Sequence, residues 1–274
     1  ATFGYSPTFY EQPTNGLTYN SVSKDLNLSS LEDVNSLMVL SALFGKVGTK
    51  DKDYMQLQED ISKISGGINA SNHFYVDKSG EVKGRISLSS KFLPDNTVET
   101  TNLMFDILQN TDLEDKKRIT ELMFQNFMGF QQSIVENGHR FAMLGAASLH
   151  NKLSYVQENM GGLSAIASFA PYITQQDEMI TNQLTKVKDF YSNLNEGKDE
   201  MLFISNHKLS SEQLDDIRKI NFNKTGDSNV SLDFNPSFSK VALPLNTQVN
   251  FSALSLDAPI YDAKESPKYV ILSS

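Results

Sequence analysis

The chain contains no cysteine and only 4 histidines among 274 residues. Without cysteine there is neither a disulfide framework nor a thiolate metal site, and this absence fits a reducing compartment. No apolar run approaches the ~18 residues that a membrane-spanning helix needs. We therefore expect neither a membrane segment nor a cysteine-based centre.

Basic surface is also scarce, because the formal net charge is -9 and the sequence pI is about 5.0. This balance argues against nucleic acid or an anionic membrane as a partner. It permits basic or unfolded peptides as partners. Hydrophobic residues make up 39% of the chain, which is enough for a folded core. We expect one large domain or two ordinary ones.

The longest regular pattern runs from Leu113 to Asn151. Apolar residues recur there at helical spacing, and Asp112 is the predicted N-cap. At Asn137-Gly138 we expect a break, with glycine in a left-handed conformation and a second helix beginning at His139. Two long helices with wide apolar faces need a broad partner surface. The apolar positions are Ile119, Leu122, Met123, Phe127, Phe130 and Ile134.

The segment before this run predicts strands and shorter helices. Asn15-Gly16 introduces a strand from Leu17, and Ser30 caps a helix that ends at Gly45. Further along the chain, two segments of alternating residues joined by turn residues predict a β-hairpin. The expected elements are a helix over Tyr54–Ser65, strands over Ile68–Asp77 and Glu81–Ser89, and a helix opened by Asp95.

The segment after Asn151 predicts short helices around Gly161-Gly162 and Pro171, and a helix over Asp177–Leu194. A short strand over Met201–Ser205 and a helix over Ser210–Ile220 follow. Hairpin strands first and massed helices later indicate an α+β fold, with an antiparallel sheet covered mainly on one face.

The predicted domain organisation has three parts. Residues 1–14 contain two prolines and no period, which predicts a linker tail. Residues 15–225 form the α+β domain. Residues 226–274 alternate like strands without a covering helix, and so we expect the incomplete first strands of a further domain. Both ends of the chain look cut, which predicts a piece of a longer protein.

The four histidines are His73, His139, His150 and His207, and none belongs to a His-x-x-Glu-His motif or its reverse. Glu136 and His139 have the i, i+3 spacing of carboxylate di-iron bundles. Such sites need two of these pairs and two further glutamates, whereas this chain has one pair. We therefore interpret His139 as a surface or helix-end residue, with a metal-binding helical module as the remaining alternative.

Other motifs also favour structural roles. The run from Gly45 to Lys50 lacks the first glycine of a phosphate loop and ends a helix, which predicts a helix cap and a connecting loop. No serine has the Gly-x-Ser-x-Gly setting. A stripe of methionine and phenylalanine residues at helical spacing is interpreted as part of the core rather than as an adaptable binding surface. The stripe comprises Met123, Phe124, Phe127, Met128 and Phe130. We predict no catalytic residue and no metal ligand in this chain.

Six short segments, taken in order, resemble one region of the pitrilysin-type (inverzincin) zinc metallopeptidases, in the presequence-protease and falcilysin branch. The resemblance runs from about residue 14 to the C-terminus. The segments are Thr14–Tyr19, Leu43–Lys50, Ser65–Ile68, Gly138–Ala142, Gly161–Leu163 and Thr247–Phe251.

The resemblance implies the third domain of a four-domain peptidase and the first strands of the fourth. In that family the first half carries the zinc motif, and a second half of the same fold carries none. The implied role is a non-catalytic half-shell that closes a chamber around unfolded peptides, with the catalytic half of the same chain as its partner. The resemblance implies zinc for the longer protein only. The implied location is a bacterial cytoplasm or an organelle matrix. The alternative is a structural, catalytically inactive member of this fold family that acts through protein–protein contacts.

Overall fold

The computed structural model describes residues 7–174, 178–234 and 250–256. The described strands are β1 (Thr8–Glu11), β2 (Thr18–Asp25), β3 (Asn27–Leu28), β4 (Ile68–Val76), β5 (Val82–Phe92), β6 (Asp199–Ser205) and β7 (Asn229–Val230). The described helices are α1 (Leu31–Leu43), α2 (Tyr54–Ile64), α3 (Thr97–Asn110), α4 (Lys116–Glu136), α5 (Gly138–Ala147), α6 (Lys152–Gly161), α7 (Leu163–Thr174), α8 (Glu178–Leu194) and α9 (Ser211–Ile217).

Five strands form one sheet in the order β1-β6-β2-β5-β4. The pairs among β6, β2, β5 and β4 are antiparallel, and β4 and β5 form the expected hairpin. At the far edge β1 runs parallel to β6. The prediction of a linker tail over residues 1–14 is therefore wrong for Thr8–Glu11, because this segment pairs with a strand almost 200 residues later.

The helices cover one face of this sheet. On that face Val22, Ile86, Leu88, Met201 and Phe203 are at most 1% exposed. Residues of the opposite face, one position along each strand, are exposed or half-buried over most of their length. This alternation follows from the two-residue period of a strand. The predicted α+β class, with an antiparallel sheet covered mainly on one face, is confirmed.

Local sequence determines where the helices begin. Ser30 and Asp33 form a capping box at the start of α1, and Asp53 and Gln56 form a second one at α2. Gly45, with φ +71°, lies directly after the end of α1, as predicted. The helix expected from Asp95 begins later, because Pro94–Asn96 forms a turn of 3₁₀-helix before α3.

Two details of the long helices differ from the expectation. Asp115 caps α4 by accepting a hydrogen bond from the Arg118 N–H, whereas Asp112 accepts one from the N–H of Glu114. Gly138 does not have positive φ, and the break instead occurs at Asn137, with φ -125° and ψ 33°. Gly138 is needed for space, because a Cβ there would overlap the ring of Phe251.

Part of the segment expected to open a further domain packs onto the core described above. β7 pairs in parallel with β3, and Val230 and Leu232 are 2% and 4% exposed. Residues 250–256 have no strand, although Phe251 was expected in one. Val249 lies outside the described residues. The further domain itself stays a prediction.

A buried ion pair joins β2 to β6. Lys24 Nζ lies 2.7 Å from Asp199 Oδ1, and the two side chains are 1% and 0% exposed. Nζ also donates to the carbonyls of Asn195 and Gly197, and Asp199 Oδ2 accepts from the N–H of Asn223. Removing one partner of such a pair typically costs about 3–5 kcal/mol, because a charge is left uncompensated. The pair therefore anchors the chain where it returns from α8 into the sheet.

The turn between α6 and α7 is built around a buried carboxylate. Glu158 is 5% exposed, and its Oε1 accepts a hydrogen bond of 3.1 Å from the N–H of Ser164, in the first turn of α7. Burial raises the pKa of Glu158, although the N–H groups of Ser164 and Leu163 lower it. Gly162 lies directly against this carboxylate, and a Cβ there would overlap Oε2 and approach the Glu158 carbonyl to 2.7 Å.

We expect Gly162→Ala to lower the free energy of unfolding by about 1–3 kcal/mol, since the Cβ displaces the carboxylate that caps α7. Gly161→Ala is the matched control, because a Cβ at Gly161 meets nothing within 4 Å. Urea unfolding followed by circular dichroism measures both variants. Equal stability of the two variants would contradict this packing account.

Candidate functional site

The face of the sheet that the helices leave open has a floor of short hydroxyl side chains. Ser21 lies opposite Ser89, and Ser87 lies between Ser23 and Ser71 in the neighbouring strands. The Ser21 and Ser89 hydroxyls are 3.4 Å apart. We call these five residues the serine floor. Sequence reasoning did not single them out, although the repeats Ser-Val-Ser in β2 and Ser-Leu-Ser in β5 are a visible signal.

Larger side chains border the serine floor at both ends. At one end Tyr19, which is 41% exposed, lies opposite Lys91 and Ile204. At the other end Arg85 of β5 lies between Asp25 of β2 and His73 of β4. The open face thus has serines in its middle, beside which Leu202 of β6 lies next to Ser21, and it has an apolar border and a charged border.

Arg85 holds the charged border together across three strands. Its Nε donates to Asp25 Oδ1 at 2.8 Å, and its two terminal nitrogens donate to the Glu200 carboxylate at 2.6 and 3.0 Å. Lys198 Nζ donates to the same carboxylate at 3.0 Å. The Arg85 guanidinium carbon also lies 5.9 Å from the centre of the Tyr75 ring. We call Asp25, Arg85, Lys198 and Glu200 the charged network.

Within the charged network each carboxylate has a cationic partner. Burial raises the pKa of Asp25, while Arg85 acts in the opposite direction through charge and hydrogen bonding. Burial lowers the pKa of Arg85, but Asp25 and Glu200 outweigh it and raise that pKa overall. Bidentate pairing of this kind orients the groups strongly. The network therefore suits a brace between strands better than a free acid or base.

The histidines lie far apart along the fold. His73 is exposed on the open face, with Nε2 at 3.0 Å from Ser71 Oγ. His139 is exposed at the start of α5, 6.2 Å from the Phe251 ring between centroids. His150 follows α5, and His207 follows β6. Within residues 7–174, 178–234 and 250–256, no group of three or more histidine, aspartate or glutamate side chains could hold a metal.

Glu136 and His139 belong to different helices, on either side of Asn137. Glu136 Oε1 accepts a hydrogen bond of 2.9 Å from Gln132 Nε2 of its own helix. Both side chains are exposed. Their geometry is that of helix ends, which matches the surface position predicted for His139.

The Gly45–Lys50 loop and the aromatic stripe of α4 have structural roles, but one prediction for the stripe was wrong. The loop from Gly45 to Lys50 packs tightly, because a Cβ on Gly48 would overlap the Lys52 carbonyl. In the aromatic stripe Met123 and Phe127 are buried, as predicted. Phe124 and Met128 are 49% and 47% exposed, so the interpretation as core is wrong for these two. Both side chains lie on the outer face of α4, because their sequence neighbours Met123 and Phe127 are the residues that face the core.

The charged network makes a testable prediction for the titration of Asp25. We expect Arg85→Met to raise the pKa of the Asp25 carboxyl further, because the cation that stabilises its charged form is gone. Glu200→Gln should lower it, because the neighbouring negative charge is removed. Carboxyl carbon shifts in an NMR pH titration measure both. Shifts in the same direction in the two variants would contradict the assignment of partners.

No helix among the described residues has the length and apolar character to cross a membrane. The model of the family described as associated with the M16 peptidases of subfamily C matches residues 4–171. Among curated proteins, Protein HypA of Clostridium perfringens is 29% identical over 64% of this chain and 18% of its own length. The mitochondrial presequence protease of Gibberella zeae is 26% identical over 97% of this chain and 28% of its own length.

This chain therefore spans less than a third of the length of these two relatives. Among solved structures, a conserved protein from Enterococcus faecalis V583 superposes with a TM-score of 0.55 at 12% identity, over 86% of this chain and 53% of that one. This likeness concerns the fold. Because the family model covers more than half of the sequence, the chain belongs to the family associated with the subfamily C peptidases of M16, the pitrilysin-type metallopeptidases.

Proposed function

We propose that this chain is part of the non-catalytic C-terminal half of a zinc metallopeptidase that degrades unfolded peptides inside a closed chamber. In this proposal the chain forms part of the chamber wall and supports closure. Its partners are the catalytic half of the same longer protein and the peptides themselves. The observation that carries the proposal is the open face of the sheet, a broad polar surface that the described helices do not cover.

The serine floor suits a wall that meets many different peptides. Ser21, Ser71 and Ser89 are half-buried, whereas Ser23 and Ser87 are buried. The hydroxyl groups of the first three both donate and accept hydrogen bonds, and so they can pair with any peptide backbone. Such small polar groups do not favour one apolar side chain over another. A surface of this kind tolerates substrates of varied sequence, and closure around it excludes folded proteins by size.

The residues that the structure describes do not fit a zinc site. Its histidines are separated, and the acidic residues of the open face are already paired with Arg85 and Lys198. We therefore assign zinc to the catalytic half of the longer protein, and to this chain the exclusion of bulk water and the limit on substrate size. The net charge of -9 would attract positively charged presequence-like peptides at long range.

The location of the open face can be tested with introduced cysteines, because this chain contains none. Asn69→Cys places a thiol on the exposed end of the open face, opposite Ser89. Glu59→Cys on α2 is the matched control, since the Glu59 side chain is 65% exposed on the helix side. Both are made in the longer protein with its other cysteines replaced.

We expect N-ethylmaleimide to label both positions. A maleimide that carries a long polyethylene glycol chain should label Asn69→Cys about tenfold more slowly than Glu59→Cys, because the closed chamber admits only small reagents. Separating the two halves should remove the difference. Equal labelling of both positions by the large reagent in the closed protein would exclude the open face from the chamber wall.

A further inference from the structure

A cavity of about 280 Å³ lies on the other side of the sheet, between β4 and helices α1, α4, α6 and α7. Its deepest residues are Met38, Val39, Met123 and Phe169, which are 1–7% exposed. Phe130 and Met160 line it closer to the surface and are half-buried. The cavity is distinct from the open face described above, because these residues belong to the helical layer.

The cavity opens beside the edge strand. Ala70 and Asn72 of β4 line it and are half-buried, whereas their partners Leu88 and Ile86 in β5 are 0% exposed. The helical layer therefore covers β5 completely and β4 only in part. What remains uncovered is an entrance along the side of β4.

Volume and lining favour a large apolar side chain as the occupant. An apolar cavity of about 150 Å³ is enough to bind benzene, and this one is nearly twice that size. Three methionines and two phenylalanines line it. Methionine is unbranched and polarizable, and so it adapts to occupants of different shape. An aromatic or branched aliphatic side chain fits this description.

The rim adds polar groups and one positive charge. Asn72 Nδ2 donates to Ser41 Oγ at 2.8 Å, and Asn126 Nδ2 donates to the Leu122 carbonyl at 3.0 Å, which leaves each amide a second N–H. Lys46 is the single charged residue of the lining. It is exposed and forms no ion pair with any other described residue. The chain as a whole has a net charge of -9, but this lining has a cation and no acidic residue. The lining therefore favours a bound molecule that carries a carboxylate.

Among the described residues, no strand pairs with the outer edge of β4, the strand beside the entrance. β4 spans nine residues, contains no lysine, arginine, aspartate, glutamate or proline, and pairs within the described residues only with β5. Proteins usually protect such edges with charge, proline or a covering segment. An exposed edge of this kind can accept an extended peptide as an additional strand.

We propose that this cavity binds the C-terminal residue of an extended peptide that ends in a large apolar amino acid. The side chain fills the methionine-lined interior, the terminal carboxylate faces Lys46, and the preceding main chain lies along the outer edge of β4. Gly45, next to Lys46, lies near the Ile68 carbonyl at the start of β4, so the peptide runs antiparallel to β4. The proposal goes beyond the proposed function, because the cavity lies on the helix side of the sheet and not on the open face.

Binding is tested with the 274-residue chain and labelled octapeptides in fluorescence anisotropy. The series ends in phenylalanine with a free carboxylate, in phenylalanine amide, or in alanine with a free carboxylate. We expect the first peptide to bind most tightly, with about a fivefold loss on amidation, the upper range for one exposed ion pair. The alanine peptide should bind more weakly still, because the cavity stays empty.

Lys46→Gln should weaken binding of the free-acid peptide to the level of the amide and leave the amide unchanged. Lys50→Gln is the matched control, an exposed lysine of the same loop that does not line the cavity. Ala70→Leu should weaken both phenylalanine peptides by occupying the entrance. Neither lysine substitution touches the core, so folding is retained.

Equal affinity for acid and amide, or no response to Lys46→Gln, would overturn the proposal. Self-association of the chain that Ala70→Leu abolishes, measured by sedimentation, would also overturn it, since a second copy would then occupy the β4 edge. These measurements need no catalytic half. Their failure therefore leaves the cysteine-labelling result unaffected, and loss of the labelling difference leaves peptide binding unaffected.

Discussion

The rest of the structure depends on one constraint, which is that the helices cover only one face of the sheet. The alternation is plainest along β5, where Ile86 and Leu88 face the helices and Arg85, Ser87 and Ser89 face the other side. A shift of one residue in register would expose the apolar set and bury the polar one. The helices must therefore stay on one side, and the opposite side must meet water or a polar partner.

Segments far apart in the chain hold this arrangement in place. Lys24 and Asp199 join β2 to the strand that follows α8, and β7 pairs with β3 across some 200 residues. Two of the motifs that carry the family resemblance are close contacts at glycine, where Gly138 meets Phe251 and Gly162 meets Glu158. At these two glycines the motifs reflect tight packing within the fold.

Much of the fold could be predicted from sequence because it depends on local signals. The capping boxes at Ser30 and Asp53, the turn at Lys78–Gly80 and the apolar periodicity of α4 each act over a few residues. Two of the errors arose where distant contacts decide. Thr8–Glu11 is a strand because β6 offers an edge, and Gly138 is required by the ring of Phe251.

The candidate site was harder to predict. Serine is common in loops, so the hydroxyls of β2 and β5 gain significance only when the sheet places Ser21 beside Ser89. The charged network likewise assembles from Asp25, Arg85 and Glu200, which are 60 or more residues apart. The apolar periodicity of α4 already separates Phe127 from Phe124, and the interpretation as core was wrong where it added Phe124 and Met128 to that periodic set.

The most direct measurement of the central claim compares zinc content and peptide cleavage in the longer protein, in this chain alone, and in this chain mixed with the separately produced catalytic half. We expect the longer protein to hold about one zinc ion and to cut short unstructured peptides in a chelator-sensitive way. This chain alone should do neither, and mixing should restore cleavage. Zinc at unit stoichiometry or cleavage by this chain alone would contradict the account. A longer protein without metal or activity would instead indicate a structural member of the family.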